Sequence, residues 1–336
     1  TKIDRVDSEM LDLAVADTRD LLQGTFLENA PILPGSSVTG AGFNEFMEGL
    51  VTLMEAVKPK PVDGVFRLPL DRSFTVKGHG TVVSGIPVSG SAHIDDEVVL
   101  LNQGITGRIR GIEVYGRTSD TVKAGQCAAL NIRHWDHQQI NRGDTLTVPG
   151  YFSPGHWYVG SFCLLPRDNI ILKNGANIKF HTGTAEVAAS VYSMNADRLR
   201  PGEQELVQIR TKTPIVAGPG DRFILRTPSP VRTVGGGMII ESIPKRLKRN
   251  RPHVCEDIRQ RAQAVLDEER FVEYCVKTAE SLAANNADLA VRTKLPRTRV
   301  QEILHRLAAR DRVVTLSAKL YMHRDTLADG QCQVLE

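Results

Sequence analysis

The chain has 336 residues, with 42 basic and 39 acidic residues and a formal net charge of +3. This length allows roughly two to four compact domains, and the near balance of charge neither requires nor excludes a nucleic-acid partner. No run of about 18 apolar residues is present that could cross a bilayer. The five cysteines form no Cys-x-x-Cys pair, which indicates reduced thiols in a cytoplasmic protein rather than a disulfide framework or a zinc site.

The first four residues, TKID, have the Thr-Lys-x-Asp spacing with which a GTPase reads guanine. The carboxylate of Asp4 can accept hydrogen bonds from the N1–H and the exocyclic amine of guanine, a pair of donors that adenine lacks. Lys2 can lay its methylene stem along the plane of the base. By itself the tetrapeptide is a weak signal, because the same letters occur on many solvated surfaces.

The next segments are typical of the end of a doubly wound α/β domain. Two amphipathic helices are predicted in SEMLDLAVADTRDLLQGT and GFNEFMEGLVTLMEAV, with a short strand between them in APILPGSSVTGAG. Ligands in such domains bind beyond the carboxyl ends of the strands, so Ser36, Ser37 and Val38 are expected to offer backbone N–H groups to guanine opposite Asp4. No G-x-x-x-x-G-K-[ST] phosphate loop is present. We therefore expect residues 1–57 to be a remnant of a GTPase domain that is inactive alone, with Mg²⁺ bound only in the full-length protein.

The periodicity changes after a Pro/Gly linker at 58–64. Short β-rich runs separated by Gly, Asp and Asn predict one closed antiparallel barrel at 65–150 and a second at 151–243. A basic hinge, PKRLKRNRPH, is predicted at 244–253, and the pattern of helices and a final hairpin predicts a winged-helix module at 254–328. The predicted fold is thus multidomain: the C-terminal part of a P-loop GTPase α/β domain, two antiparallel β-barrels and a helical winged-helix module.

Taken together, these blocks resemble the selenocysteine-specific translation elongation factors, the SelB family, which are relatives of elongation factor Tu. The most telling stretches are FRLPLDRSFTVKGHGTVVSG and PGDRFILRTPSPVRTVGGG, supported by AGQCAALNI, INRGDTL and HTGTAEVAASV. The resemblance covers nearly the whole chain. It implies a monomeric GTP-dependent factor, truncated here at both ends, whose barrels hold selenocysteinyl-tRNA for delivery to the ribosome. It also implies that later winged-helix modules bind an mRNA hairpin.

The resemblance places an aminoacyl pocket on the first barrel. A selenol is largely ionised at neutral pH, so a selective site should offer cations or strong donors. The stretch LDRSFTVKGHG supplies Asp71, Arg72 and His79. The alternative is that Asp71 and Arg72 only pair with each other at the rim of the barrel.

One position departs from the family pattern. After Ala-Gly-Gln the family has an Arg that belongs to the selenium pocket, whereas this chain has Cys127. The pocket would then be one cation short unless Arg133 or His134 replaces it. Cys127 keeps open the alternative of a general elongation-factor-like GTPase without selenocysteine specificity. The turn Arg142-Gly143-Asp144 is predicted to be an ordinary barrel turn.

Basic residues on and after the second barrel predict contacts with RNA. Those on the barrel itself, expected together with Thr182 to bind the phosphates of the tRNA stems, are His181, Arg210, Lys212, Arg222, Arg226 and Arg232. The hinge contributes Lys245, Arg246, Lys248, Arg249 and Arg251, and the predicted recognition helix carries Arg297, Arg299, Arg306 and Arg310 around a buried face of Ile303, Leu304 and Leu307. A solvated linker and a protein adaptor are the alternatives. A non-enzymatic RNA-binding module therefore remains open as a second alternative function.

Overall fold

The computed structural model describes residues 1–77, 80–133, 135–166, 170–317 and 319–335. The chain divides into two compact units, Thr1–Pro59 and Lys60–Glu336. None of the helices in the described residues is both long enough and apolar enough to span a membrane.

The first unit contains a 3₁₀ turn at Ile3–Arg5 and two helices, α1 (Ser8–Leu22) and α2 (Phe43–Ala56). Asp7 caps α1 by accepting a hydrogen bond from the Met10 N–H at 2.9 Å. Neither helix buries a side chain within the unit. The strand predicted between the helices is an extended segment without a ladder, because residues 1–59, all of them described, contain no second strand to pair with it.

The first of the two predicted antiparallel barrels is confirmed as a closed barrel. Its strands in the described residues are β1 (Arg67–Val76), β2 (Gly80–Gly85), β3 (Ser91–His93), β4 (Glu97–Leu100), β5 (Ile105–Val114), β6 (Arg117–Ser119), β7 (Thr121–Lys123), β8 (Ala128–Ile132) and β9 (Thr145–Thr147). Six of them close the barrel in the order β4-β9-β1-β2-β8-β5, with β5 pairing back to β4. Alternate residues of β1, Leu68 and Leu70, are buried in its core. A β-bulge between Leu70 and Arg72 then shifts the register of β1 against β2.

The second barrel is also a closed ring of six antiparallel strands. The strands of this region are β10 (Gly155–Leu164), β11 (Leu172–Lys173), β12 (Ala176–Thr182), β13 (Ala185–Ser193), β14 (Arg198–Leu199), β15 (Gln204–Ile215), β16 (Arg222–Arg226) and β17 (Thr233–Ile243). The barrel closes in the order β10-β15-β13-β12-β16-β17. Phe162, Phe180 and Phe223 pack in its core, with ring centroids 5.4–6.2 Å apart. A Cβ at Gly235 or Gly237 would clash with the backbone of β10, so glycine is required where β17 crosses these rings.

The C-terminal module confirms the predicted winged helix. Its elements are α3 (Pro252–Ala264), α4 (Glu268–Lys277), β18 (Ala284–Asn285), α5 (Asn286–Thr293), α6 (Arg297–Ala309), β19 (Val313–Ser317), β20 (Leu320–His323) and α7 (Arg324–Leu335). Three strands form the small sheet β18-β20-β19, and the β19–β20 hairpin is the wing. As predicted, Ile303, Leu304 and Leu307 on α6 are buried.

The segment predicted to be a basic hinge, 244–253, lies along the second barrel. Gln208, on the outer face of β15, is fully buried beneath it. The Gln208 side chain accepts a hydrogen bond from the Leu247 N–H at 2.6 Å and donates to the Leu247 carbonyl at 3.2 Å. Because a buried amide must be hydrogen-bonded, this exchange fixes the segment in one place. We call residues 244–251 the strap.

Further contacts hold the C-terminal end of the strap to the barrel. The Arg249 guanidinium donates to the carbonyl groups of Ser193 at 2.7 Å and Ala196 at 2.6 Å. The strap then leads directly into α3, where Cys255 and Ile258 are buried against the outside of the second barrel. Helix α3 therefore packs on the barrel through its first turns, while Ala264 at its end joins the core of the winged helix.

Candidate functional site

The two loops of the predicted guanine site lie side by side within the first unit. The hydroxyl of Ser36, a residue only 4% exposed, donates a hydrogen bond to the Asp4 carboxylate. Two of the backbone donors expected to face guanine are used inside the loop, since the Ser36 N–H donates to the Ala41 carbonyl at 2.9 Å and the Val38 N–H to the Ser36 hydroxyl at 3.2 Å. Asp4 and Lys2 are exposed. A carboxylate has lone pairs for more than one donor, so Asp4 can accept from a base while Ser36 orients it.

The bulge on β1 brings two arginines to one carboxylate. Asp71 lies 3.6 Å from Arg72 Nε and 3.3 Å from Arg142 Nη2. The turn that carries Arg142 is hydrogen-bonded to the bulge, because the Gly143 N–H donates to the Leu70 carbonyl at 3.0 Å. The turn at 142–144, which the sequence predicted to be an ordinary barrel turn, therefore lies next to the predicted pocket. The signal that could have found Arg142 is its place in INRGDTL, one of the family-like stretches.

Arg133 does not join this cluster. Cys127 immediately precedes β8 and Arg133 immediately follows it, so their backbones are about 20 Å apart at roughly 3.3 Å per residue. Ser84 on β2 pairs with Arg72 on one side and with Ala129 on the other, which places Arg72 nearer the Cys127 end of β8. The cation that accompanies Arg72 is thus Arg142 and not Arg133.

His79 and His134, the remaining predicted members of the pocket, lie outside the described residues. Arg133 instead lines a cleft of about 720 Å³ together with Thr75, Arg110 and His137. The hydroxyl of Thr75 is 2.9 Å from His137 Nδ1, which ties this cleft to the end of β1. The cleft is separate from the Asp71 carboxylate, which is not among its lining residues.

Part of the predicted tRNA surface comes together on β12 and β16 of the second barrel. Lys179 pairs with Arg226 and His181 pairs with Ile224 across these two strands. Burial lowers the pKa of His181, the positive charges of Arg226 and Lys179 add to this effect, and Glu186 opposes it. His181 Nε2 is buried without a hydrogen-bond partner. This face combines a largely neutral imidazole with an arginine that forms no ion pair in the described part of the chain.

The other predicted members of this surface lie elsewhere. Arg210, on β15, stacks over the Trp157 ring at 5.8 Å and is three strands away from β16, about 14 Å of sheet. Arg222 lines the cavity between the barrels and the winged helix. The Thr182 hydroxyl donates a hydrogen bond to the Arg222 carbonyl at 2.9 Å. Arg232 is exposed in the loop after β16, where its N–H donates to the Thr227 hydroxyl at 2.9 Å.

A buried ion pair joins the two barrels. Arg67 on β1 is 8% exposed and its two terminal nitrogens bind both carboxylate oxygens of Asp221, which precedes β16. The guanidinium also lies over the Phe152 ring at 5.0 Å. Lys294, from the winged helix, lies over the same ring at 5.1 Å and donates to the Tyr151 carbonyl at 2.5 Å. Sequence reasoning assigned no role to any of these residues.

Comparison with known proteins gives consistent matches. Residues 162–246 match the family model described as the β-barrel domain of the selenocysteine-specific elongation factor. Over 251 residues the chain is 36% identical to the selenocysteine-specific elongation factor of Desulfomicrobium baculatum, an alignment that covers 74% of this chain and 39% of that protein. The chain belongs to the family of selenocysteine-specific elongation factors. The resemblance predicted from the sequence is thereby confirmed, and the chain spans about two fifths of the length of this curated relative.

Solved structures of selenocysteine-specific elongation factors have the same fold. A bacterial factor, EF-Sec, superposes with a TM-score of 0.75 at 20% identity, covering 99% of this chain and 52% of that chain. SelB from Methanococcus maripaludis in its apo form superposes with a TM-score of 0.66 at 24% identity, covering 72% of this chain and 57% of that chain. At these identities the likeness supports the fold alone.

Most of the arginines on α6 that were predicted to contact RNA form ion pairs with carboxylates in the winged helix. On α6, Arg299 pairs with Glu268 at 2.9 Å and with Glu302 at 3.1 Å. Arg306 and Arg310 both pair with Glu269. Arg297 is exposed and forms no ion pair with the described residues. An arginine that already faces a carboxylate attracts phosphate weakly, so α6 is better suited to holding α4 than to binding RNA.

Lys294 makes the stability of the module depend on pH. Burial, reinforced by the positive charge of Arg67, lowers the pKa of Lys294 from 10.5 to about 8. Between these values the unfolded chain binds the proton more tightly than the folded chain, so stability rises with pH across that window. We expect Lys294→Met to remove this rise, which amounts to about 3 kcal/mol at roughly 1.4 kcal/mol per pKa unit. Urea unfolding of residues 60–336 and of the variant from pH 7 to pH 10 measures it, and parallel pH profiles would contradict the assignment.

Proposed function

We propose that this chain is the tRNA-holding part, with the first winged helix, of a GTP-dependent translation factor. The factor would deliver selenocysteinyl-tRNA to the ribosome for incorporation of selenocysteine at recoded stop codons. The observation that carries the proposal is the cluster at the β1 bulge, where Arg72 and Arg142 share the single carboxylate of Asp71 and therefore keep one net positive charge. An ionised selenolate taken from water must be paired with positive charge, because an unpaired buried charge costs several kcal/mol. A serine hydroxyl has no such requirement.

The selenolate cluster and the basic face of the second barrel adjoin at the seam between the barrels. A Cβ placed on Gly143, next to Arg142, would lie 2.9 Å from Ala185 Cα, and one on Gly183 would lie 3.3 Å from Pro69. The β12–β13 turn therefore touches the first barrel beside the bulge. His181 lies at the base of that turn, and Arg226 lies opposite Lys179, two residues further from the turn along β12. One tRNA could place its aminoacyl end at the cluster and its stem phosphates on this face, since A-form RNA presents mainly phosphates and 2′-hydroxyls.

Residues 1–59 would contribute the base-reading half of the GTP site. Asp4, oriented by Ser36, would accept hydrogen bonds from guanine, with Lys2 along the base and the loop of Ser37 and Val38 nearby. The apolar side chains of α1 and α2 are exposed in this unit, including Leu13 and Phe46. The remainder of a GTPase domain would cover them and would supply the phosphate-binding residues and Mg²⁺.

The two alternative functions differ in their support. Cys127, where the family pattern has Arg, favours a general elongation-factor-like GTPase without selenocysteine specificity. Arg142 beside Asp71 argues against it, because the second cation is supplied from another turn. A non-enzymatic RNA-binding winged helix is disfavoured by the ion pairs on α6. In our proposal the factor is a cytoplasmic monomer, and winged-helix modules beyond this one bind the mRNA hairpin.

Binding of tRNA tests the proposal. Residues 60–336 are expected to bind tRNA with an affinity that falls steeply as salt rises, because phosphate contacts release counterions. Arg226→Ala should weaken binding and flatten the logarithmic salt slope by roughly 0.7–0.9, the contribution of one phosphate contact. Arg306→Ala is the matched control, since its charge is already paired with Glu269. Equal losses in the two variants, or binding that does not depend on salt, would contradict a tRNA surface on β12 and β16.

A further inference from the structure

A continuous stack of cations and aromatic rings lies on the outer face of the second barrel beside the strap. The Arg210 guanidinium lies over the Trp157 ring at 5.8 Å, and the Trp157 and Tyr192 rings have their centroids 5.9 Å apart. Arg246, from the strap, lies over the Tyr192 ring at 4.4 Å. We call these residues the strap stack. They occupy β10, β13, β15 and the strap. Although β13 pairs with β12, Tyr192 lies four residues beyond Ala188, the residue of β13 that pairs with Lys179, so the strap stack is separate from His181 and Arg226.

The positive charges around the strap stack are not neutralised by nearby carboxylates. Two acidic side chains of this region are already paired, since Glu241 binds Arg261 and Arg292 and Asp197 binds Arg249. In the described residues no ion pair is formed by the remaining exposed cations of this region, which are Arg210, Lys212, Lys245, Arg246, Lys248 and Arg251. This part of the surface carries unpaired positive charge, in contrast to α6.

The strap presents its cations on a fixed backbone. Its hydrogen bonds to Gln208 hold Leu247 in place, so the flanking charges need no ordering of the main chain when a ligand binds. A cleft of about 730 Å³ opens beside the stack, lined by His156, Trp157, Arg210, Lys212 and Pro244 among others. A cleft with an indole wall and cationic edges has the chemistry to take a nucleobase together with its phosphate.

We propose that the strap stack binds a single-stranded stretch of RNA. Proteins that bind unpaired strands combine a basic groove for the backbone with aromatic rings on which successive bases stack. Arg210 and Arg246 are exposed and can move off the rings to cover the far side of an inserted base. A duplex stem hides its bases and gains nothing from the two rings. The inference goes beyond the proposed function, which requires only a stem-binding face on β12 and β16.

The test compares two RNA probes on the full chain. The first is an unstructured oligouridylate of about eight nucleotides, a length that one such site can cover. The second is a blunt RNA duplex without unpaired bases. We expect Arg246→Ala and Trp157→Leu each to weaken binding of the oligouridylate by about 5-fold to 100-fold, the range for losing one stacked base. Neither variant should change binding of the duplex by more than about two-fold.

Fluorescence gives a second readout that does not depend on affinity. The chain has two tryptophans, so Trp135→Phe leaves Trp157 as the only indole. Stacking of a base should quench its emission as oligouridylate is added, and Arg226→Ala should leave this quenching unchanged. Unchanged oligouridylate affinity in Arg246→Ala, a variant at an exposed position that keeps the fold, would overturn the inference. If Arg246→Ala or Trp157→Leu weakened the binding of oligouridylate and of the duplex equally, the inference would also be overturned. If Arg226→Ala lost only duplex binding, that result would support the stem-binding face of the proposed function and would agree with a separate single-strand site.

Discussion

Replacing Arg67 with alanine is expected to lower the free energy of unfolding of residues 60–336 by about 3–5 kcal/mol, the usual effect of removing one partner of a buried ion pair. The variant leaves the half-buried Asp221 carboxylate at the seam with the Gly218 N–H, 2.7 Å away, as its remaining close donor among the described residues. It also removes the cation from the Phe152 ring. Because this pair links the two barrels, the loss should affect their association as well as the stability of either one.

Urea unfolding of Arg67→Ala, Asp221→Ala and the double variant measures this effect. The double variant should be less destabilised than the sum of the single variants, because residues in contact do not contribute additively. Arg72→Ala is the control: its ion pair with Asp71 is exposed, with 79% of the Arg72 side chain accessible, and such pairs contribute at most about 1 kcal/mol. A loss of less than about 1 kcal/mol for Arg67→Ala would show that the contact is not what holds the barrels together.

The second large effect is expected in the choice of aminoacyl-tRNA. Arg72→Ala should remove most of the preference for selenocysteinyl-tRNA over seryl-tRNA and leave seryl-tRNA binding nearly unchanged, since the hydroxyl carries no charge. A hydrogen bond to a charged group contributes about 1.5–3 kcal/mol, which corresponds to a loss of roughly 10-fold to 150-fold in preference. Arg142→Ala should act in the same direction, because Asp71 holds both arginines. Cys127→Arg should keep or raise the preference.

The measurement is competitive binding of the two tRNAs, with GTP, to the chain joined to a complete GTPase domain of the family. Arg133→Ala is the matched control, because Arg133 lies at the far end of β8 and should leave the preference unchanged. Equal weakening of both tRNAs by Arg72→Ala would make Arg72 a structural residue of the barrel. An unmutated protein without any preference would support the general elongation-factor function.

The sequence by itself determined the type of most elements; the exception is the strand predicted between α1 and α2, which is an extended segment without a ladder. Alternation of apolar residues predicted the strands of both barrels, and the helical spacing of Ile303, Leu304 and Leu307 predicted the buried face of α6. These patterns are local, since a side chain's place on a strand or a helix follows from its immediate neighbours along the chain. Family-like stretches located Asp71 and Arg72 for the same reason, because both residues belong to one short segment.

The tertiary structure decided which charges are free and which are already used. Arg306 and Arg310 looked like RNA contacts until α4 placed Glu269 beside them. The basic hinge became a strap because Gln208, 39 residues before Leu247, supplied its hydrogen bonds. Asp221 reaches Arg67 across 154 residues of sequence. A periodic pattern shows which face of an element is apolar, but the partner of a charged or polar group is set by which distant element packs against it, and no local pattern contains that information.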